Sequence, residues 1–175
     1  MTFRKLRETS FVLVALIFCL NVSQVRGQQQ RGPSTAEERA RAVQVAKSLR
    51  TAPLAESTTK DRQWFMVWLI EVPDISVKLC GGVLGDLGDS KKSEYPGALI
   101  ATMMASEAAY VIENPDKAKD NSAIYLAGIE GTLDAYQAIR TTDSSYHAKQ
   151  LDELNQKRID GKLADAVKSV TKKCK

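Results

Sequence analysis

The stretch Lys60-Asp-Arg-Gln-Trp-Phe-Met-Val-Trp-Leu-Ile-Glu-Val72 decides the fold class. Its centre, Trp64 to Ile70, is an unbroken apolar run that suits a buried strand or a buried helix, and periodicity alone does not separate the two. The flanks do. The lead-in Lys60-Asp-Arg-Gln63 is charged and helix-tolerant, and Pro73 stops the run, so the reading is a helix over 60–72 at the centre of the fold. Trp64 and Trp68, four apart, share a face, which suits core packing more than an exposed recognition patch.

Outward from this run, the chain keeps reading as helix. Pro53 and Ser57-Thr-Thr59 break it on the N-terminal side. Before them, Ser34-Thr-Ala-Glu37 has the form of a capping box and opens a helix to about residue 50, with Ala36, Ala40, Val43, Ala46 and Leu49 on one side. After Pro73, a short helix over 74–79 should carry Cys80 and end at Gly81-Gly82. The glycine-rich stretch 81–93 reads as loop. An alanine- and methionine-rich helix over 94–113 follows, with Pro96 in its first turn and Asn114-Pro115 as its stop. A polar turn at 116–121 leads to a helix over 122–140 and a loop at 141–145. A helix over 146–160 then turns Leu151 and Leu154 inward, Gly161 breaks it, and 162–171 closes the chain. No segment alternates with period two. The expected class is all-α, one compact bundle of about six helices. The run Leu126-Ala-Gly-Ile-Glu-Gly-Thr-Leu-Asp-Ala-Tyr136 does not recur at a fixed period, which excludes a solenoid.

The first 27 residues read differently. Arg4, Lys5 and Arg7 precede an apolar run over 11–20, followed by Asn21-Val-Ser-Gln-Val-Arg-Gly27. That order is a secretory signal peptide, with cleavage expected after Gly27 and Val25 and Gly27 at the small-residue positions. The run is too short for a bilayer, which needs about 20 apolar residues. Phe18 is too bulky to precede a lipidated Cys19. The expected organisation is a signal peptide at 1–27, a polar flexible linker at 28–34 and a helical domain at 35–175, in the periplasm or secreted.

The net charge of +4 belongs largely to that leader. Without its four basic residues and one acid, 21 basic and 20 acidic residues remain, net +1. A chain so balanced lacks the electrostatic footprint of a nucleic-acid binder. Lys168, Lys172, Lys173 and Lys175 suit a solvated helix C-terminus. At 43% hydrophobic and 26% charged, the composition is that of a folded domain rather than a disordered tail.

Cys80 and Cys174 survive cleavage. In an oxidising compartment an even pair points to one disulfide, which would add roughly 4–5 kcal/mol by closing a long loop, with two free thiols or a bridge to another chain as the rival readings. Cys174 follows Leu163, Val167 and Val170 on one helical face, so it should point inward.

Catalytic patterns are sparse. The one histidine, His147, excludes multi-histidine zinc sites and the paired ligands of di-iron bundles. Ser144 and Ser145 beside it lack the glycines of a nucleophile elbow, so His147 reads as a surface residue. There is no Cys-x-x-Cys, and the 81–88 glycines lack the Gly-Lys-Ser/Thr of a phosphate loop. Asp86, Asp89, Asp116 and Asp120 do not fit a calcium loop. No cofactor and no metal are expected. Carboxylates remain: Glu107, among Met103, Met104 and Val111, with Glu130 and Asp134 on the next helix. Two opposed carboxylates can cleave a glycosidic bond if one has a raised pKa. Gly128 and Gly131, with Ala135, lie at helical spacing. Glycine there costs up to about 1 kcal/mol against alanine, which close approach of the alanine-rich 98–109 face would offset; a small-ligand groove at that crossing is the other reading.

The segment Tyr110-Val-Ile-Glu-Asn-Pro115, with Ala123 and Leu126 after it, resembles the final helices of small periplasmic immunity proteins that neutralise exported amidases. The likeness covers under a fifth of the chain beyond the leader, and the cysteines are placed differently. It implies an inhibitor of an exported enzyme. The leading expectation is broader: an exported helical protein that binds an envelope or secreted protein without turnover. The carboxylate hydrolase on Glu107 with Glu130 or Asp134 is the competing class.

Overall fold

The computed structural model describes residues 31–80, 85–88, 94–172 and 174. The leader at 1–27, the first three residues of the linker (28–30) and most of the 81–93 loop lie outside the described residues. Among the described residues there are six α-helices and no strand: α1 (Ala36–Thr51), α2 (Glu56–Glu71), α3 (Pro96–Glu113), α4 (Asn121–Thr142), α5 (Lys149–Ile159) and α6 (Leu163–Thr171), with single 3-10 turns at Gly85–Gly88 and Pro115–Lys117. Gly32–Lys175 holds together as one compact unit.

The start of α1 shows a local rule corrected by a distant partner. The capping box is Thr35 with Glu38: the Glu38 N–H donates to Thr35 Oγ1 at 3.2 Å and the Thr35 N–H donates to Glu38 Oε2 at 2.9 Å. Ser34, the expected cap, donates its N–H and its hydroxyl to Asp74, each at 2.8 Å, and Arg39 joins them at 2.7 Å. Burial alone would push the Asp74 carboxyl up, but those bonds hold it below its ordinary value. α1 buries Ala42, Val45, Ala46 and Leu49, so Ala46 and Leu49 of the expected face are core, while Ala36 and Ala40 are exposed and Val43 is half-buried. It packs on α3 and α4 and belongs to the core.

The expected helix over 74–79 is absent; residues 75–80 are non-helical. With Pro73 before it and glycines after, the segment is too short to repay helix nucleation. Its polar groups go elsewhere: Asp74 clamps Ser34, and the Lys78 N–H donates to Glu107 Oε2 at 2.6 Å. α2 starts earlier than expected, because Ser57-Thr-Thr59 forms its first turn instead of breaking the chain. Thr58 Oγ1 donates to the carbonyls of Ala55 and Ala52, at 2.7 and 2.9 Å.

The helix carrying Trp64–Ile70 is not central. Only Thr58, Phe65 and Trp68 are buried on α2. Trp64 stacks on Trp68 with ring centroids 5.6 Å apart, and the Arg41 guanidinium covers the Trp64 ring at 4.0 Å. The centre is α3 against α4. α3 is buried nearly all round, with Ala98, Ala101, Ala105, Ala108 and Ala109 making that possible. Small side chains let helix axes approach, and Gly128 and Gly131 lie at the crossing. A Cβ on Gly128 would come within 2.8 Å of the Glu107 side chain, and one on Gly131 would overlap Ser106.

Two clusters form the core. One joins α1, α2, the middle and end of α3, and Ile124. The other joins Leu99 and Met103 to α4, α5 and α6, with Tyr136 and Tyr146 edge to face at 5.7 Å and Tyr95 edge-on to Tyr146 at 4.9 Å. The Asp143 carboxylate accepts from the Tyr95 hydroxyl and pushes that phenol up to about 12. Gly161 turns the chain from α5 into α6 at φ +69°, a conformation other residues rarely adopt. The sulfurs of Cys80 and Cys174, 94 positions apart, lie at bonding distance, with Cα atoms 5.7 Å apart.

Candidate functional site

α2 builds the most exposed apolar surface on the described chain. Its solvent stripe runs Glu56, Lys60, Gln63, Val67, Ile70 at helical spacing. The first three are polar, as a surface demands; the last two are not. Val67 is 57% exposed and Ile70 81%. Beside this stripe, a groove of about 480 Å³ runs between α2 and the first turns of α3. Arg62, Gln63, Met66 and Val67 form one wall, and Gly97, Ile100 and Ala101 the other.

The cation of the groove is held in place. Arg62 Nη1 donates to the Pro53 carbonyl at 3.1 Å, fixing the guanidinium along the wall. α3, whose first turns form the other wall, begins with no side-chain cap on its first amides and no acid in its first turn, with Glu94 just before it. The groove is therefore mostly apolar, with Arg62 as the one charged residue of its lining.

The carboxylates expected to act together are apart. Glu107 is 0% exposed. Burial pushes its carboxyl up to about 8, only partly offset by the Lys78 amide and the Lys78 charge. Oε2 accepts from the Lys78 N–H, while Oε1 has no hydrogen-bond partner. Glu130, two residues past Gly128, is on the opposite, exposed side of α4. Asp134 is saturated: Arg50 donates through Nε and Nη2 at 3.0 and 2.6 Å, and Arg158 Nη1 at 2.7 Å. That triad ties α1, α4 and α5 together.

His147 is exposed, 3.7 Å from Asp152, and the Ser145 hydroxyl donates to Asp143 at 2.6 Å. Among the described residues no group of three or more His, Cys, Asp or Glu side chains could hold a metal ion, and no helix is long and apolar enough to cross a membrane. At the Gly128–Gly131 crossing, the Glu107, Met103 and Ser106 side chains occupy the space above the glycines. A second groove, about 410 Å³, lies between the Thr51–Ala55 turn and the end of α4, and a smaller one of about 150 Å³ lies between α5 and α6.

Sequence reasoning treated 64–70 as core and so missed Val67 and Ile70 as surface. The signal was present in the polar residues Glu56, Lys60 and Gln63, whose spacing leads directly to Val67 and Ile70. Compared with protein-family models, curated proteins and solved structures, the chain has no significant match. The resemblance of 110–126 to immunity proteins thus stays a likeness of that stretch alone.

Proposed function

We propose that the protein is an exported helical binding protein, periplasmic or secreted, that contacts another protein through the outward face of α2 and turns nothing over. The observation that carries this reading is the apolar groove between α2 and α3, flanked by exposed Val67 and Ile70 on a helix otherwise rimmed with charge. Contiguous exposed apolar surface with a polar rim is the mark of an interaction site. Export is supported by the leader-like residues 1–27 and by a cysteine pair at bonding distance, which suits an oxidising compartment. In the inhibitor form of the reading, this face is the surface that would block an exported enzyme.

The carboxylate hydrolase has less behind it. Glu107 faces the Lys78 amide and Gly128, with no exposed surface of its own, and Asp134 is neutralised by two arginines.

A photoreactive residue at position 67, in cells that export the protein, tests the reading. The expected result is a discrete protein adduct at 67, none at the exposed position 130 of α4, and loss of the adduct on Ile70→Glu. Equal labelling at both positions, or none at 67, would sink it.

A further inference from the structure

α6 is fastened differently from the rest of the bundle. Every other helix carries a polar tie to a neighbour. Arg41 of α1 pairs with Asp61 of α2 at 3.6 Å, Arg50 of α1 and Arg158 of α5 meet Asp134 of α4, and the Thr102 hydroxyl of α3 donates to the Leu49 carbonyl of α1 at 3.5 Å. On α6 the Thr171 hydroxyl donates to the Val167 carbonyl of its own helix at 2.9 Å, and among the described residues no side-chain hydrogen bond or ion pair joins α6 to another element. Its packing is thin as well. Leu163, Val167 and Thr171 are its buried residues, Val170 is 37% exposed, and a groove of about 150 Å³ is left open between α6 and α5. α6 has nine residues and no side-chain cap on its first turn. That is short of the about 12–15 residues at which an isolated helix begins to hold. Two aliphatic anchors offset little of the entropy of ordering such a segment.

Both ends of α6 are pinned from outside it. Its start follows Gly161, where the chain turns, with the Lys162 N–H donating to the Lys157 carbonyl at 2.8 Å. Beyond its end, the Cys174 N–H donates to the Thr171 carbonyl at 3.0 Å, and Cys174 meets Cys80. Cys80 belongs to a strap held without α6: the Lys78 N–H donates to Glu107 Oε2 at 2.6 Å, and Ile75 and Cys80 are buried. We propose that α6 is a flap, hinged at Gly161, that docks on α4 and α5 only when the Cys80 and Cys174 thiols are oxidised to a disulfide. The oxidant is itself a disulfide, carried by a protein or a small thiol. The Cys174 thiolate, on the free flap, attacks one sulfur of that disulfide and expels the other as a thiolate. The Cys80 thiolate then attacks Cys174 Sγ and expels the second thiolate. The oxidant leaves fully reduced, carrying the two electrons and the two protons that the cysteines gave up. Undocked, α6 uncovers the α4 and α5 side of the core cluster that contains Leu133, Tyr136 and Leu151. The bundle therefore closes its last side only where disulfides form.

Hydrogen exchange of the purified protein, read by mass spectrometry, tests the flap. Reduction with dithiothreitol should speed exchange over 164–171 by about tenfold or more, while α3 and α4 stay within about threefold of the bonded protein. Cys80→Ser and Cys174→Ser should show the same pattern without reductant. Oxidised glutathione should restore protection in the reduced parent and in neither variant. Trypsin should cut after Lys162 and Lys168 in the open forms and spare both in the bonded one. Equal protection of 164–171 in the bonded, reduced and serine forms overturns the inference, because packing alone then holds the helix. Loss of protection through α3 and α4 as well also overturns it, because the bond is then needed by the whole domain. Either result leaves the position-67 adduct, and with it the reading of α2, to be decided on its own.

Discussion

α2 and α3 are of similar length, 16 and 18 residues, yet they take opposite places. α2 carries two tryptophans, a phenylalanine and four large aliphatics in one run and lies at the edge. α3 carries five alanines among its 18 residues, at 98, 101, 105, 108 and 109, with no tryptophan or phenylalanine, and is enclosed. Side-chain size explains the inversion. A neighbouring axis can come close only where the side chains between are small, so α3 admits α4 and α1 on several sides at once. α2 can bury one narrow stripe, Phe65 and Trp68, and must turn the rest of its run outward. Hydrophobicity says that a helix wants cover; residue volume decides on how many sides it gets it.

The largest test strikes the crossing of α3 and α4. Gly131→Leu should lose about 3 kcal/mol or more, since its side chain would overlap Ser106 in a region with no slack; urea unfolding measures it, and a loss below 1 kcal/mol would break the comparison. Next comes the acid inside α3. Folded Glu107 stays protonated up to about 8, whereas the unfolded chain ionises it near its ordinary 4.5. The folded state holds the extra proton between those values, so this contribution is full below about 4.5 and is lost as pH rises towards 8, at about 1.4 kcal/mol per pH unit. Unfolding curves at pH 5 and 8 should show the decline in the parent and a flatter profile in Glu107→Gln.

Smaller effects are expected on α2. Arg41→Ala should cost about 0.5–1 kcal/mol by uncovering Trp64, read as a shift in the urea midpoint with a matching change in tryptophan emission. Ile70→Ser should change stability by no more than about 0.5 kcal/mol, while weakening whatever contact the face makes. A large loss of stability there would place Ile70 in the core and remove the contrast.

Much of this fold is legible in the sequence because local signals and tertiary demands agree. Pro96, Asn114-Pro115 and Gly161 mark real boundaries. The misses occur where two local options compete and a distant group chooses. Ser34-x-x-Glu37 and Thr35-x-x-Glu38 are equivalent capping boxes on paper; Asp74, forty residues on, claims Ser34 and leaves the cap to Thr35. The 74–79 segment loses its helix for the same reason, its groups being drawn to Ser34 and Glu107. At the candidate surface, the all-round apolar character of 64–70 hid which side faces water. Within the run itself only the position of α3 settles that; the hint in α2 lies upstream, in the spacing of Glu56, Lys60 and Gln63.

The cysteine pair has a mechanical consequence. Once bonded, Cys80 and Cys174 draw α3, α4, α5 and α6 into one covalent ring, with α1 and α2 outside it. Tension applied to the two chain ends would peel away α1 and α2 and then stop, leaving the ring under no load. A single protease cut inside the ring would still leave one molecule. The part of the chain with the exposed apolar face of α2 is thus also the part that can be pulled off while the rest stays closed.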